Sequence, residues 1–146
     1  MGRIFVSGGT GAAVYVFSND HCPAHVHAHH RGEGWIARVR FSYLSTTVEL
    51  MSIMPTRNIP LQRVVNRLLS DVQDRLLDCR RSWWTSMRTA CLANQWALIV
   101  APGKIDLVVA GTSAAKQIAD AQYDPATERL RVDFQDGASE EVRLRP

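Results

Sequence analysis

All five histidines of the chain fall within ten residues, beside other residue types that bind metals or transfer protons. The segment over residues 19–30 reads N-D-H-C-P-A-H-V-H-A-H-H. If its second half forms a strand, His25, His27 and His29 project from one face, since side chains alternate along a strand. Two imidazoles on one face can bind the same ion, and Asp20 or His21 can complete the site from the preceding turn. The pattern therefore predicts a metal site at Asp20, His21, His25 and His27, with a divalent transition metal such as zinc as the cofactor.

The same residues allow two other interpretations, which the sequence alone does not separate. Neighbouring imidazoles can act as general acid and base without a metal, because an unperturbed histidine titrates near neutrality. Alternatively the segment is structural, with Asp20 and His21 bonded to turn amides and His25 packed against a helix. Glu49, expected on a neighbouring strand, could orient an imidazole through its second nitrogen. A closed zinc module is not indicated, because no second ligand pair follows at finger spacing.

Strands are expected on both sides of the histidines, because alternating or β-branched apolar runs occur there. These runs cover residues 3–6, 12–17, 25–30, 34–41 and 46–53. The glycine cluster at residues 7–11 lacks the G-K-[ST] ending of a phosphate-binding loop. We therefore expect it to be the turn of a hairpin.

The helical signal is strongest from Leu61 to about Cys79, where apolar residues recur every three or four residues along one face. A helix of this kind buries its apolar face. The residues that we expect to be buried against the sheet are Leu68, Leu69, Val72 and Leu76. A second helix is predicted over residues 82–94.

The C-terminal part of the chain is predicted to be rich in strands. Runs at residues 97–101 and 105–110 flank a Pro-Gly-Lys turn and indicate a hairpin. Further strands are expected at residues 117–123, 130–134 and 140–144. The last of these runs lie in a tail of about 29 residues, too few to bury an independent core. We expect this tail to dock on the body of its own chain or on a second copy of the chain, with four apolar contact residues: Tyr123, Leu130, Val132 and Phe134.

Together these elements predict an α+β fold. A small antiparallel sheet would pack on one long amphipathic helix, followed by a second helix and a short β-rich C-terminal unit. The predicted segments are a histidine-motif domain at 1–84, a connecting helix and hairpin at 85–115, and an acidic β-rich unit at 116–146. Hydrophobic residues make up 46% and charged residues 21% of the chain, which excludes a disordered protein.

Charge is distributed unevenly along the chain, although its net value is only +3. Residues 1–117 carry 13 Lys and Arg against 7 acids, whereas residues 118–146 carry 4 against 7. The basic body and the 15 arginines leave nucleic-acid binding as one class of function. No apolar signal-peptide core follows Met1, and the longest apolar stretch is interrupted near Pro102. We therefore expect a cytoplasmic protein without a membrane partner.

Residues 14–27, with their motif N-D-H-x-P-x-H-x-H, resemble a small bacterial family known as domain of unknown function 4160. In that family a few strands and one amphipathic helix that ends near a tryptophan accompany the motif. The likeness covers about residues 3–84. Residues 118–123 and 130–137 are similar to the opening strands of a second family, domain of unknown function 2442. Genes of the two families are often neighbours and are sometimes described as toxin–antitoxin-like pairs.

The resemblance implies a bacterial or mobile-element (phage) toxin–antitoxin-like accessory protein with a polar or metal site in its histidine segment. An enzyme of this kind would attack a phosphodiester, in RNA, with a metal or with histidine alone. The alternative is a non-enzymatic protein-binding module, such as an inhibitor that docks on another protein or complex. The sequence leaves open whether the chain is an enzyme.

The partners expected are a protein or a second copy of the chain, with nucleic acid as the other class. Exposed tryptophans would favour the binding module, since aromatic residues anchor interfaces. The candidates are Trp35, Trp83, Trp84 and Trp96.

Overall fold

The structure, a computed structural model, describes residues 2–110 and 112–144. Strands account for 41% and helices for 20% of these residues. The chain divides into two compact units. The first comprises Met1–Ser42 and Thr46–Arg88, and the second comprises Tyr43–Ser45 and Thr89–Pro146. The segment boundaries expected near residues 84 and 115 stay a prediction.

The first unit contains a five-stranded antiparallel sheet in which every strand pairs with the next one along the chain. Its strands are β1 (Gly2–Val6), β2 (Ala13–Val16), β3 (His25–His30), β4 (Trp35–Arg40) and β5 (Glu49–Met54). A short 3-10 turn at Thr56–Asn58 follows β5. This order places β3, which carries most of the histidines, at the centre of the sheet.

One face of the first sheet is buried and the other is partly open. Val26 of β3 pairs with Val39 of β4, and both side chains are fully buried. The next pair along the strands, His27 with Arg38, is half-buried. Successive residues of a strand point to opposite faces. The register therefore sends the valines into the core and the histidine and arginine to the open face.

Two helices follow the sheet, α1 (Gln62–Asp74) and α2 (Leu76–Met87), and α2 packs near β1 and β2. They are separated at Arg75, whose backbone leaves the helical conformation with φ −110° and ψ 26°. Leu68, Val72 and Leu76 are buried as predicted, whereas Leu69 is half-buried. The single helix expected over residues 61–79 is thus wrong in extent, and so is the helix expected over residues 82–94.

The second unit contains another five-stranded antiparallel sheet, with the strand order β10-β9-β8-β6-β7. Its strands are β6 (Trp96–Ala101), β7 (Lys104–Val108), β8 (Lys116–Asp124), β9 (Arg129–Phe134) and β10 (Ser139–Arg143). The hairpin β6–β7 joins the tail because Trp96 pairs with Gln117 and Ala97 pairs with Lys116. The apolar residues that the sequence assigned to tail docking are all buried: Tyr123, Leu130, Val132 and Phe134.

The predicted α+β class is therefore wrong. The protein is mostly β, with two five-stranded sheets and two short helices, not one long helix packed on a small sheet. The sequence located most strands correctly but treated the β6–β7 hairpin as a connection. Because that hairpin pairs with β8, it completes a second sheet instead. No helix in the described part of the chain is long and apolar enough to cross a membrane.

Candidate metal centre

A tight turn after β2 fixes the carboxylate of Asp20. The backbone N–H of Phe17 donates to Asp20 Oδ2 at 3.0 Å, and the N–H of Asp20 donates to the Phe17 carbonyl at 3.2 Å. A short carboxylate side chain often bonds the backbone of its own turn in this way. These two bonds hold the carboxylate in one orientation and leave its second oxygen, Oδ1, for other partners.

His25 and His27 of β3 both approach Asp20 Oδ1. The Nε2 atom of His27 lies 3.0 Å from this oxygen, and the Nε2 atom of His25 lies 3.5 Å from it. One ligand atom from each of the three side chains lies within 4.8 Å of the others, close enough to hold a metal ion. The two imidazole centroids are 5.0 Å apart. The prediction that His25 and His27 share one side of a strand is confirmed.

The hydrogen on the His25 ring can be assigned from its surroundings. Its Nδ1 atom lies 2.7 Å from the carbonyl oxygen of Pro23, and a carbonyl can only accept a hydrogen bond. Nδ1 therefore donates, and in the neutral ring Nε2 carries the lone pair. The side chain is 3% exposed, and its ring lies 5.4 Å from that of Trp83 in α2.

Burial favours the neutral form of this imidazole by lowering its pKa. Desolvation lowers the pKa of His25 below the ordinary value of 6.5, and the charges of His27 and Arg38 act in the same direction. The Pro23 hydrogen bond and the Asp20 carboxylate oppose the shift without overcoming it. A neutral imidazole with one nitrogen bonded to a backbone carbonyl is the form in which histidine binds metals.

The lone pair of His25 Nε2 therefore faces a carboxylate oxygen at 3.5 Å. Two electron-rich atoms in this arrangement repel each other unless a cation lies between them. Zinc bonds to nitrogen and oxygen are about 2.0–2.2 Å long, so two tetrahedral ligands lie roughly 3.4 Å apart. The separation of the His25 and Asp20 atoms is thus suited to two ligands of one ion.

His27 is the ligand candidate nearest to solvent. Its side chain is 16% exposed, against 11% for Asp20, and the ring of Phe17 meets it edge-on at 4.6 Å. Without a metal, Nε2–H of His27 can donate to Asp20 at 3.0 Å. That aspartate–histidine pair is also what metal-free acid–base chemistry requires, so this alternative stays open at the level of geometry.

One residue of the predicted site, His21, lies apart from the other three, and Glu49 and His30 also lie outside the group. His21 is exposed and does not belong to the group formed by Asp20, His25 and His27. Glu49 accepts a hydrogen bond from Arg40 and so orients an arginine, not an imidazole. His30 lies on the opposite face of β3 from His25 and His27 and stacks on Trp35, with ring centroids 5.3 Å apart.

No family model, curated protein or solved structure matches this chain. The resemblance of residues 14–27 to a family known from bacterial genomes therefore stays a prediction. What the chain can do has to be inferred from its own geometry.

The four tryptophans do not form an exposed cluster. Trp35, Trp83 and Trp84 are buried, and Trp96 is half-buried. They fill the interior of the protein, as large aromatic side chains usually do. The protein-binding alternative gains no support from these residues.

Arg38 is a residue of the site that the sequence did not single out. It lies opposite His27 on β4, and its Nε–H donates to the hydroxyl of Ser52 at 2.9 Å. Its positive charge contributes to the lowered pKa of His25. The alternation along β4 indicates that Arg38 faces away from the core, but only the β3–β4 register shows that it meets His27.

Proposed function

We propose that this chain binds a divalent transition metal such as zinc through Asp20, His25 and His27. The observation that carries the proposal is the 3.5 Å approach of the His25 Nε2 lone pair to Asp20 Oδ1. The backbone partners of both side chains support it, because metal ligands are usually oriented by such outer hydrogen bonds. Two histidines and one carboxylate leave at least one coordination position for water or substrate, as in catalytic zinc and ferrous sites.

The reaction that we propose for this site is hydrolysis of a phosphodiester in RNA. A zinc ion held by Asp20, His25 and His27 would activate water as a nucleophile at neutral pH, since zinc lowers the pKa of water to about 7. Arg38, opposite His27, can donate hydrogen bonds to the phosphate and stabilise the charge that develops there. The excess of 13 Lys and Arg over 7 acids in residues 1–117 further favours a polyanionic substrate.

The biological role that we infer is that of a bacterial or mobile-element toxin–antitoxin-like accessory protein. The support for this role is the resemblance of the motif at residues 19–27, which includes Asp20, His25 and His27. In such a system a metal-dependent RNA-cleaving chain would be held in check by a partner.

A protein-binding module is the second candidate, and the edge strand β5 favours it. Among the strands of residues 2–110 and 112–144, β5 pairs only with β4, so that its other edge has no strand partner there. Leu50 and Met51 are each 38% exposed, and Met54 is 64% exposed. Apolar side chains on an open edge suit a protein partner or a second copy of the chain. A mass measurement in solution, repeated with Met54→Lys, tests the second copy: a dimer that the substitution dissociates supports it.

Hydrolysis of RNA by the tag-free full chain tests the proposed enzyme. We expect cleavage with added zinc, no cleavage in EDTA, and a rate reduced at least about 100-fold in His27→Gln, since even outer-sphere partners cost 10–100-fold. His30→Gln is the matched control, because His30 lies on the opposite face of the same strand. Cleavage that persists in EDTA but disappears in His27→Gln would instead identify metal-free acid–base chemistry. No cleavage under any condition would favour the binding module.

A further inference from the structure

A row of three aromatic rings lies beside the metal-site residues on the open face of the first sheet. Tyr15, Phe17 and His29 form this aromatic row. The ring of His29 lies 5.3 Å from Tyr15 and 5.8 Å from Phe17, and the Tyr15 and Phe17 rings are stacked at 6.3 Å. All three side chains are half-buried, so part of each remains exposed to solvent. The sheet thus holds three partly exposed aromatic rings on which a ligand can pack.

The aromatic row is continuous with the metal site. Tyr15 of β2 pairs with His27 of β3, which in turn pairs with Arg38 of β4. Phe17 meets the ring of His27 edge-on at 4.6 Å, and its backbone N–H holds Asp20. A ligand that covers the row would therefore also reach His27.

Two arginines lie beside the row, and the carboxylate near it is that of Asp20, which the Phe17 N–H holds. Arg38 bonds through Nε to the neutral hydroxyl of Ser52, and no carboxylate in residues 2–110 or 112–144 is within ion-pair distance of it. Arg31, two residues beyond His29, is exposed and likewise has no carboxylate partner among the described residues. Aromatic rings flanked by cations favour a ligand that combines flat rings with negative charge.

We propose that the aromatic row and Arg38 bind a single-stranded polynucleotide, with bases on Tyr15, Phe17 and His29 and a phosphate on Arg38. Every base has a face that can stack on an aromatic side chain, and the backbone supplies the anion. A duplex fits poorly, because its bases are already stacked on each other. The inference deepens the proposed function by naming the form of its substrate, and a strand bound in this way would bring a phosphodiester to His27. Binding itself needs no metal.

Fluorescence anisotropy with a labelled single-stranded RNA, the same sequence as DNA, and a duplex RNA tests this inference. EDTA is present throughout, so that neither metal nor cleavage affects the result. We expect the full chain to bind the single strands more tightly than the duplex. Tyr15→Leu keeps an apolar side chain but removes the ring, and we expect it to weaken binding at least about fivefold. Tyr15→Phe keeps the ring and is expected to bind like the wild type.

Arg38→Gln gives an independent measurement of the phosphate contact. It is expected to weaken binding to all single strands and to reduce the slope of log affinity against log salt by about one. Tighter binding of RNA than of DNA, or equal binding of both, supports the proposal, because the shared chemistry is the single strand. Equal binding of the duplex, or wild-type affinity in both Tyr15→Leu and Arg38→Gln, would overturn it.

Zinc binding by the same variants separates this inference from the proposed function. We expect Tyr15→Leu to bind zinc like the wild type, because Tyr15 is not a ligand candidate. A chain that binds zinc but no single strand would overturn only the aromatic-row proposal. A chain that binds the single strand in EDTA but takes up no zinc would support the aromatic-row proposal and contradict the metal site.

Discussion

At the scale of single residues, the site depends on hydrogen bonds between side chains and nearby backbone. Phe17 N–H holds one oxygen of Asp20, and the Pro23 carbonyl holds one nitrogen of His25. Each bond leaves the other polar atom of its side chain free to face its neighbour, so that Asp20 Oδ1 and His25 Nε2 lie 3.5 Å apart. The positions of the candidate ligand atoms are therefore fixed by a turn and the start of β3, so that metal binding there would require little rearrangement.

The lowered pKa of His25 predicts how the metal-free protein responds to acid. Desolvation puts the pKa of His25 below 6.5 in the folded protein, while the unfolded chain keeps the ordinary value. Below pH 6.5 the unfolded chain binds more protons than the folded one, so the free energy of unfolding falls as the pH decreases. Above pH 6.5 this contribution to stability is fully present. Burial lowers the pKa of His29 as well, and it acts in the same window.

Urea unfolding in EDTA at a series of pH values measures this effect. We expect His25→Gln to lose part of the decrease in stability between pH 6.5 and lower values, because glutamine does not titrate there. The same steepness in wild type and His25→Gln would mean that His25 is protonated as easily in the folded protein as in the unfolded chain.

The sequence predicted the candidate ligands themselves, but it did not predict which other residues surround them. The one-residue spacing of His25 and His27 was enough to predict a shared face, because a strand alternates strictly. The sequence left open whether His21 or Asp20 approaches them, because that depends on the conformation of the turn at residues 17–20. The sequence did not indicate Arg38, because its position opposite His27 depends on the register between β3 and β4.

At the scale of elements, the clearest error concerns the helix that breaks at Arg75. Buried residues continue across the break at helical spacing, from Leu68 and Val72 to Leu76. No proline or glycine marks the position. The apolar pattern is therefore the same as that of one long helix, and the break at Arg75 could not be read from it.

Truncation of a core side chain in α1 tests how much this helix contributes. Leu68 is 1% exposed, so Leu68→Ala is expected to lower the free energy of unfolding by about 2–5 kcal/mol. Leu69 is only half-buried, and Leu69→Ala is the matched control with a smaller expected loss. Both values come from urea denaturation of the full chain. A loss below about 0.5 kcal/mol for Leu68→Ala would show that α1 is peripheral to the core.

At the scale of the whole molecule, the fold class depends on which strands pair, and the sequence does not specify that. The sequence pattern of the strand at residues 97–101 is the same for an isolated hairpin as for a hairpin within a larger sheet. Its pairing with β8 links Trp96 to Gln117 across about 20 residues of chain. Because of this long-range pairing, the segments predicted to be a connection and a separate tail form one five-stranded sheet.

Removal of the tail tests this second sheet. A chain that ends at Ala110 lacks β8, β9 and β10, and it loses the buried side chains of Leu130 and Val132. The remaining hairpin β6–β7 is then only marginally stable, as isolated two-stranded hairpins are. We expect the amides of β6 and β7 to lose their protection from hydrogen exchange, while those of β3 and β4 stay protected. Full protection of β6 and β7 in the shortened chain would show that the hairpin does not depend on the tail.

The central claim is that Asp20, His25 and His27 bind one metal ion, and calorimetric titration of zinc into the tag-free full chain tests it most directly. We expect one zinc per chain. We also expect an affinity at least about 100-fold lower in Asp20→Asn, His25→Gln and His27→Gln, each checked for an unchanged circular dichroism spectrum. His30→Gln, on the opposite face of β3, is expected to bind like the wild type. Wild-type zinc affinity in all three ligand variants, or no zinc binding by the wild type, would contradict the account.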